Sequence, residues 1–151
     1  MTGRTIAEKI LGRAAGTTDA RAGAVVEAYP DLLMSHENTY LVSKAFSELG
    51  DKKPYDVDRI AIILDHRTPA NTVETAAAHS HIRKLVRDLG VKRFYDVGEG
   101  ICHQILMEEH LAKPGQLIVG TDSHTSTAGA VGAFATGIGA TEMAGVWATG
   151  Y

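Results

Sequence analysis

Arg59-Ile-Ala-Ile-Ile-Leu-Asp-His66 is the stretch that decides the fold. Its apolar part, Ile60–Leu64, shows no alternation, which predicts a strand buried on both faces as in a parallel sheet. The strand ends in Asp65-His66, and a loop with Pro69 follows. Asn71 or Thr72 can cap a helix running to Leu89, and Gly90 can stop it. The same unit then repeats. Arg93–Val97 reads as a strand, ends in Gly98-Glu99-Gly100 and leads into a helix carrying His103. Lys113-Pro114-Gly115 makes a turn into a third strand, Gln116–Gly120, which ends in Thr121-Asp122-Ser123-His124. Strand and helix in alternation predict a layered α/β/α domain with a largely parallel sheet.

Outward from this centre the signals weaken. Ile6, Ile10 and Leu11 share one face of a first helix that Gly12–Gly16 ends, and Ala24–Ala28 reads as a short strand. Asp31–His36 leads into a helix over Thr39–Leu49, closed by Gly50, and Asp51–Asp58 is a polar connection with Pro54. Thr125–Tyr151 is rich in glycine and alanine, with helices expected around Ala128–Ala135 and Thr141–Thr149. Residues 1–151 are expected to form one α/β domain. The chain stops at Tyr151 directly after a glycine, with no charged tail, and reads as cut rather than finished.

A chain of 151 residues can bury a substantial core, and its 44% hydrophobic and 22% charged content is that of a globular protein. No apolar run is long enough to span a bilayer. A net charge of −3 leaves no basic footprint, which argues against nucleic acid as a main partner. Met1–Gly16 carries Arg4, Lys9 and Arg13, but Glu8 and the lack of serine do not suit a transit peptide, and a secretory apolar region is missing. The expectation is a cytoplasmic protein. Cys102 stands alone, so there is no internal disulfide, and one thiol falls short of a structural zinc or iron–sulfur site.

Ligands in open α/β sheets bind outside the carboxyl ends of the strands. Asp65-His66 and Asp122-Ser123-His124 both sit at such ends, and His103 opens the helix after the strand between them. Three imidazoles and two carboxylates can therefore converge on one rim, where an Asp–His contact would fix the tautomer and raise the basicity of a proton-transfer group. Other histidines carry less. His79 and His81 are two apart on a helix and point in different directions. His110 lies near a helix end, and His36 stands at a helix start where capping explains it. Cys102 beside His103 reads as a small buried packing residue. Gly137-Ile-Gly139-Ala-Thr-Glu142 follows no predicted strand and lacks the last glycine of a dinucleotide loop, so those glycines are expected to permit close packing beside the rim. A helix start near Thr125–Thr127 could offer free N–H groups to a carboxylate.

Taken in order, His36-Glu-Asn-Thr39, Leu64-Asp-His66, Gly98-Glu-Gly-Ile-Cys-His103, Pro114-Gly115, Gly120-Thr-Asp-Ser-His-Thr125 and Gly129-Ala-Val-Gly-Ala-Phe-Ala-Thr-Gly-Ile-Gly139 resemble the start of the aconitase superfamily. The resemblance is closer to its 3-isopropylmalate dehydratase and homoaconitase large-subunit branch, and it covers nearly the whole chain. It implies a hydro-lyase that dehydrates a hydroxy-di- or tricarboxylate and rehydrates the alkene, with a [4Fe–4S] cluster acting as a Lewis acid. By that resemblance Asp65 orients His66, which protonates the leaving hydroxyl. Asp122 pairs with His103 to steer water, and His124 pairs with a glutamate outside this chain. Ser123 and His36 contact the substrate. The cluster's cysteines, the base serine and the substrate arginines would all lie elsewhere, in further large-subunit domains and a small swivelling subunit. The expectation is that these 151 residues hold no metal by themselves and are inactive alone. Two other readings of the residues stay open: a mono- or dinuclear zinc or manganese hydrolase ligated by His66, His103, Asp122 and His124, and a non-catalytic module that binds a partner chain or small carboxylates.

Overall fold

The computed structural model describes residues 3–50 and 53–151. Within them a five-stranded parallel sheet is formed by β1 (Leu32–Ser35), β2 (Ile60–Ile63), β3 (Arg93–Tyr95), β4 (Leu117–Gly120) and β5 (Phe134–Gly137). The strand order is β3-β2-β1-β4-β5. Leu33 is the hinge of the register, opposite Ile60 on one side and Val119 on the other. The helices are α1 (Ile6–Ala14), α2 (Thr39–Glu48), α3 (Val73–Leu89), α4 (Cys102–Glu108) and α5 (Ala140–Thr149).

Period-two alternation along the central strands divides the core into two layers. Leu33, Ile60, Ile62, Leu64 and Val119 turn to one face, where they meet Val42 and Phe46 of α2, Ile82 of α3 and Trp147 of α5. Leu32, Met34, Ala61, Ile63 and Ile118 turn to the other, against Leu106 of α4 and Ala128. Trp147 is 1% exposed and meets Phe46 edge-on at 5.8 Å between ring centroids. The α/β/α layering expected from the sequence is therefore present.

Several boundaries differ from expectation, each for a physical reason. Ala24–Ala28 forms no strand: the segment is β-prone in composition, but Val25 is 99% exposed and the Ala24 N–H turns back on the Arg21 carbonyl at 2.9 Å. The central strand is instead Leu32–Ser35, inside the segment expected to lead into a helix. Asp31 fastens its start, donating its N–H to the Leu117 carbonyl at 2.8 Å and accepting the Leu117 N–H on Oδ2 at 2.7 Å. The helix expected over Ala128–Ala135 is replaced by a 3-10 helix over Ser123–Val131 and the edge strand β5. Gly132, at φ +83°, ends the 3-10 turns, and Phe134–Gly137 then pairs with Leu117–Gly120. α1 ends at Ala14, inside the Gly12–Gly16 region expected to close it. Asp51 and Lys52 of the expected polar connection lie outside the described residues, and its last part is a 3-10 turn over Val57–Arg59.

The chain steps from β1 through β2 to β3 toward one edge, then restarts with β4 and β5 toward the other. That reversal leaves a crevice at the carboxyl ends of β1 and β4, the place where such sheets take ligands.

Candidate active site

His36 and Glu37 follow β1, Asp65 and His66 follow β2, and Asp122, Ser123 and His124 follow β4. His103 is the second residue of α4, the helix after β3. Parallel strands end at one side of the sheet, so these residues share the rim around the crevice.

Four of the side chains form a line. Asp65 Oδ1 accepts a hydrogen bond from His66 Nδ1 at 2.7 Å. The opposite ring nitrogen, Nε2, lies 3.5 Å from Asp122 Oδ2. Asp122 Oδ1 in turn accepts from His103 Nε2 and from the His124 backbone N–H, both at 2.8 Å. The second oxygen of Asp65 accepts the Cys102 N–H at 2.6 Å, which ties the end of β2 to the start of α4. His36 stacks on His66 with centroids 3.9 Å apart and planes inclined by 17°. Its Nε2 donates to the Thr121 carbonyl at 3.3 Å and bridges the ends of β1 and β4. Ser123 and His124 sit on the open lip, where the His124 ring is 79% exposed. Its Nδ1 stands 3.4 Å from Asp122 Oδ1.

Charge is distributed unevenly along the line. Burial opposes ionisation of Asp122, yet the His124 N–H, the His103 hydrogen bond and the neighbouring imidazoles outweigh it and hold the carboxyl at about 2. Burial also works against a cationic His66. The hydrogen bond and charge of Asp65, with the charges of Asp122 and Glu37, overcome that and raise its pKa. The result is an imidazole that keeps its proton longer than usual, facing a carboxylate that resists taking it.

The expectation for His36 changes with the structure. No side chain caps α2; the His36 carbonyl accepts the Thr39 N–H at 2.8 Å, and the imidazole lies in the crevice. His79 and His81 diverge as expected: His79 is buried toward Glu37, and His81 Nε2 pairs with Ser43 Oγ at 2.9 Å. The N–H groups expected to be free near Thr125–Thr127 are engaged at the first of those residues, where the Thr125 N–H goes to the Asp122 carbonyl at 3.2 Å. Gly137 ends strand β5 rather than packing a helix, so the run does follow a strand; a Cβ there would come within 2.7 Å of the Asp122 carbonyl oxygen.

Glu37 is the residue that sequence reasoning missed. Its carboxylate is buried at 7% exposure and accepts the backbone N–H groups of His66 (3.1 Å) and Arg67 (2.7 Å). Burial opposes its charge, but the His36 imidazole and those amides lower its pKa to about 2. The signal that could have revealed it, an acidic residue just past a strand, was hidden because β1 itself went unread.

An iron–sulfur cluster does not fit the residues of this chain. Its single cysteine, Cys102, is 0% exposed, and burial beside Asp65 pushes the thiol far above its ordinary range. A buried neutral thiol is neither a nucleophile nor a cluster ligand. His103, Asp122 and His124 bring ligand atoms within 4.8 Å of one another, as do His36, Glu37 and His66. The ring nitrogen that His103 turns toward Asp122 is hydrogen-bonded to that carboxylate, an arrangement that fixes the tautomer of the imidazole.

Comparison with known proteins gives the site a setting. The family model of the aconitase family (aconitate hydratase) matches residues 8–151. A 3-isopropylmalate dehydratase large subunit 1 from Methanopyrus kandleri is 49% identical over 149 residues, which cover 98% of this chain and 35% of that protein. A 3-isopropylmalate dehydratase large subunit from Aquifex aeolicus is 44% identical over 149 residues, 98% of this chain and 34% of the relative. A probable methanogen homoaconitase large subunit from Methanothermobacter thermautotrophicus is 43% identical over 148 residues, 95% of this chain and 35% of the relative. The chain thus spans about a third of the length of the curated relatives it matches.

Proposed function

This chain belongs to the aconitase family, and we propose that it forms the proton-donating wall of a hydro-lyase that isomerises a hydroxy-dicarboxylate or tricarboxylate of the 3-isopropylmalate type. The observation that carries the reading is the continuous line Asp65–His66–Asp122–His103 at the sheet's switch point. Loss of a hydroxyl from carbon needs an acid or a metal at the leaving oxygen, and His66 is the group of this chain suited to give a proton there. Asp65 holds Nδ1, so the proton available to the crevice is the one on Nε2. Asp122, ionised and fixed by the His124 N–H, keeps His103 in one tautomer to orient the water that leaves and returns. His36, flat against His66, and Ser123 at the lip would meet the substrate's carboxylate or hydroxyl. His124, at the exposed lip, would act with a carboxylate from outside this chain.

In the complete enzyme a [4Fe–4S] cluster, held by cysteines outside this chain, would contribute Lewis-acid chemistry. The abstracting base and the cationic groups for the substrate carboxylates belong on the same reading to further large-subunit domains and a small swivelling subunit. We place the protein in the cytoplasm; among the described residues no helix is long and apolar enough to cross a membrane. The test is His66→Ala in the assembled enzyme. Turnover should fall about 10²–10⁴-fold, the usual worth of a positioned general acid. Full turnover with His66 replaced would sink the reading.

A further inference from the structure

Glu37 lies at the start of α2, where an acidic residue ordinarily serves its own helix. It does not do so here. None of the α2 amides hydrogen-bonds to its carboxylate; both oxygens reach across the crevice to the backbone of the next loop, at His66 and Arg67. The side chain is 5% exposed and sits among imidazoles, with His36 Nδ1 3.4 Å from Oε2 and His79 Nε2 3.5 Å from Oε1. The price of burying a carboxylate is severe unless it is hydrogen-bonded and compensated. Two charge-assisted amide bonds and two neighbouring rings supply that compensation at one place, directly behind the loop that carries His66.

We propose that Glu37 is the positioning residue for His66. Asp65 sets the rotation of the His66 ring through Nδ1, and its other oxygen holds the Cys102 N–H. Neither contact engages the His66 or Arg67 backbone amide, and α3 does not begin until Val73. Glu37 supplies that hold by clamping the two consecutive amides. Through His36, which touches both Glu37 and the face of His66, it also sets the plane in which the ring lies. Glu37 therefore acts through His66, and its effect appears in the rate of the chemical step rather than in substrate affinity. This inference rests on the role proposed above for His66.

The experiment is a double-variant cycle in the assembled enzyme, using Glu37→Gln, His66→Ala and the two combined. A glutamine keeps the shape but turns an NH₂ toward one backbone N–H. A misplacement of the acid by about 1 Å costs on the order of 100-fold, so Glu37→Gln should lower kcat by about that factor and leave KM unchanged. In the His66→Ala background Glu37→Gln should add nothing, since groups acting as one unit are not additive. Glu37→Asp, which keeps the charge but withdraws it by one methylene, should give the same split and serves if the glutamine variant does not accumulate. Wild-type kcat in the Glu37 variants, or losses that multiply in the double variant, would overturn the inference while leaving the His66 assignment intact. Wild-type turnover in His66→Ala alone would instead overturn the assignment on which it rests.

Discussion

Glu37 and Asp122 are both buried carboxylates held at about 2, both gather backbone amides, and both stand against histidines. They differ in where they stand. Asp122 lies in the line of proton-bearing groups, between His66 and His103, and its amide partner is in its own turn. Glu37 lies behind the line, and its amide partners belong to another loop 29 and 30 residues away. A carboxylate between two imidazoles tunes what they do with protons. One set behind the loop decides where the first imidazole points. On the proposed reading, the same electrostatic device serves chemistry in one place and geometry in the other.

The sharpest way to break this comparison is to ask whether either carboxylate can act without the rest of an enzyme. The purified 151-residue chain should show no dehydratase turnover, and iron and sulfide added to it should leave no stable cluster by absorbance or iron analysis. Asp122→Asn in the assembled enzyme comes next. It removes the negative charge that His103 and His66 face and should lower kcat about 10²–10⁴-fold. It should also move the pH–rate profile, because the carboxylate that favours a charged His66 is gone. The position-only role of Glu37 requires its variants to act less severely than Asp122→Asn.

Acid stability tests each of the two at smaller amplitude. Both folded pKa values lie below the ordinary ones, 3.8 for Asp122 and 4.5 for Glu37. Each group therefore adds stability that is complete above its ordinary value and is lost as the pH falls toward 2. In denaturant titrations Asp122→Asn should flatten the stability slope, by up to about one proton, only below about pH 4. Glu37→Gln should flatten it over the same acid range. A variant whose slope matches that of the unaltered chain down to about pH 2 would contradict the lowered pKa of the carboxylate it removes. His66 contributes with the opposite sign, since its raised pKa adds stability at low pH that disappears as the pH rises through it. The smallest effect on turnover is expected at Cys102. Its backbone N–H holds Asp65 at 2.6 Å, and a serine keeps that bond. Cys102→Ser should leave kcat unchanged and cost about 1–3 kcal/mol in unfolding if the buried hydroxyl finds no partner.

Much of this architecture was legible where local signals agreed. Ile60–Leu64, Thr72 with Gly90, and Gln116–Gly120 each combine a burial pattern with a start or stop residue, and β2, α3 and β4 form there. The central strand was not legible. Leu-Leu-Met-Ser has no β-branched residue, and its four positions are all buried, so no alternation marks it. Ala24-Val25-Val26 had the better composition and became an exposed connection, because a strand needs a neighbour and the crossover supplies it to Leu32–Ser35 instead. Phe134–Gly137 was lost for a similar reason: a glycine- and alanine-rich edge strand owes its conformation to pairing with β4. The site inherits these gaps. Asp65, His66, His103 and Asp122 could be read because their strands could, whereas the roles of His36 and Glu37 required knowing that β1 ends immediately before them.

One further consequence concerns measurement. Trp147 is the sole tryptophan of the chain and lies buried between α5 and α2, on the helical layer away from the Asp122 loop. The 151-residue chain thus carries its own optical gauge of core integrity, separate from the rim residues. A rim variant of this chain whose indole emission stays blue has kept its core; one whose emission reddens has lost the scaffold.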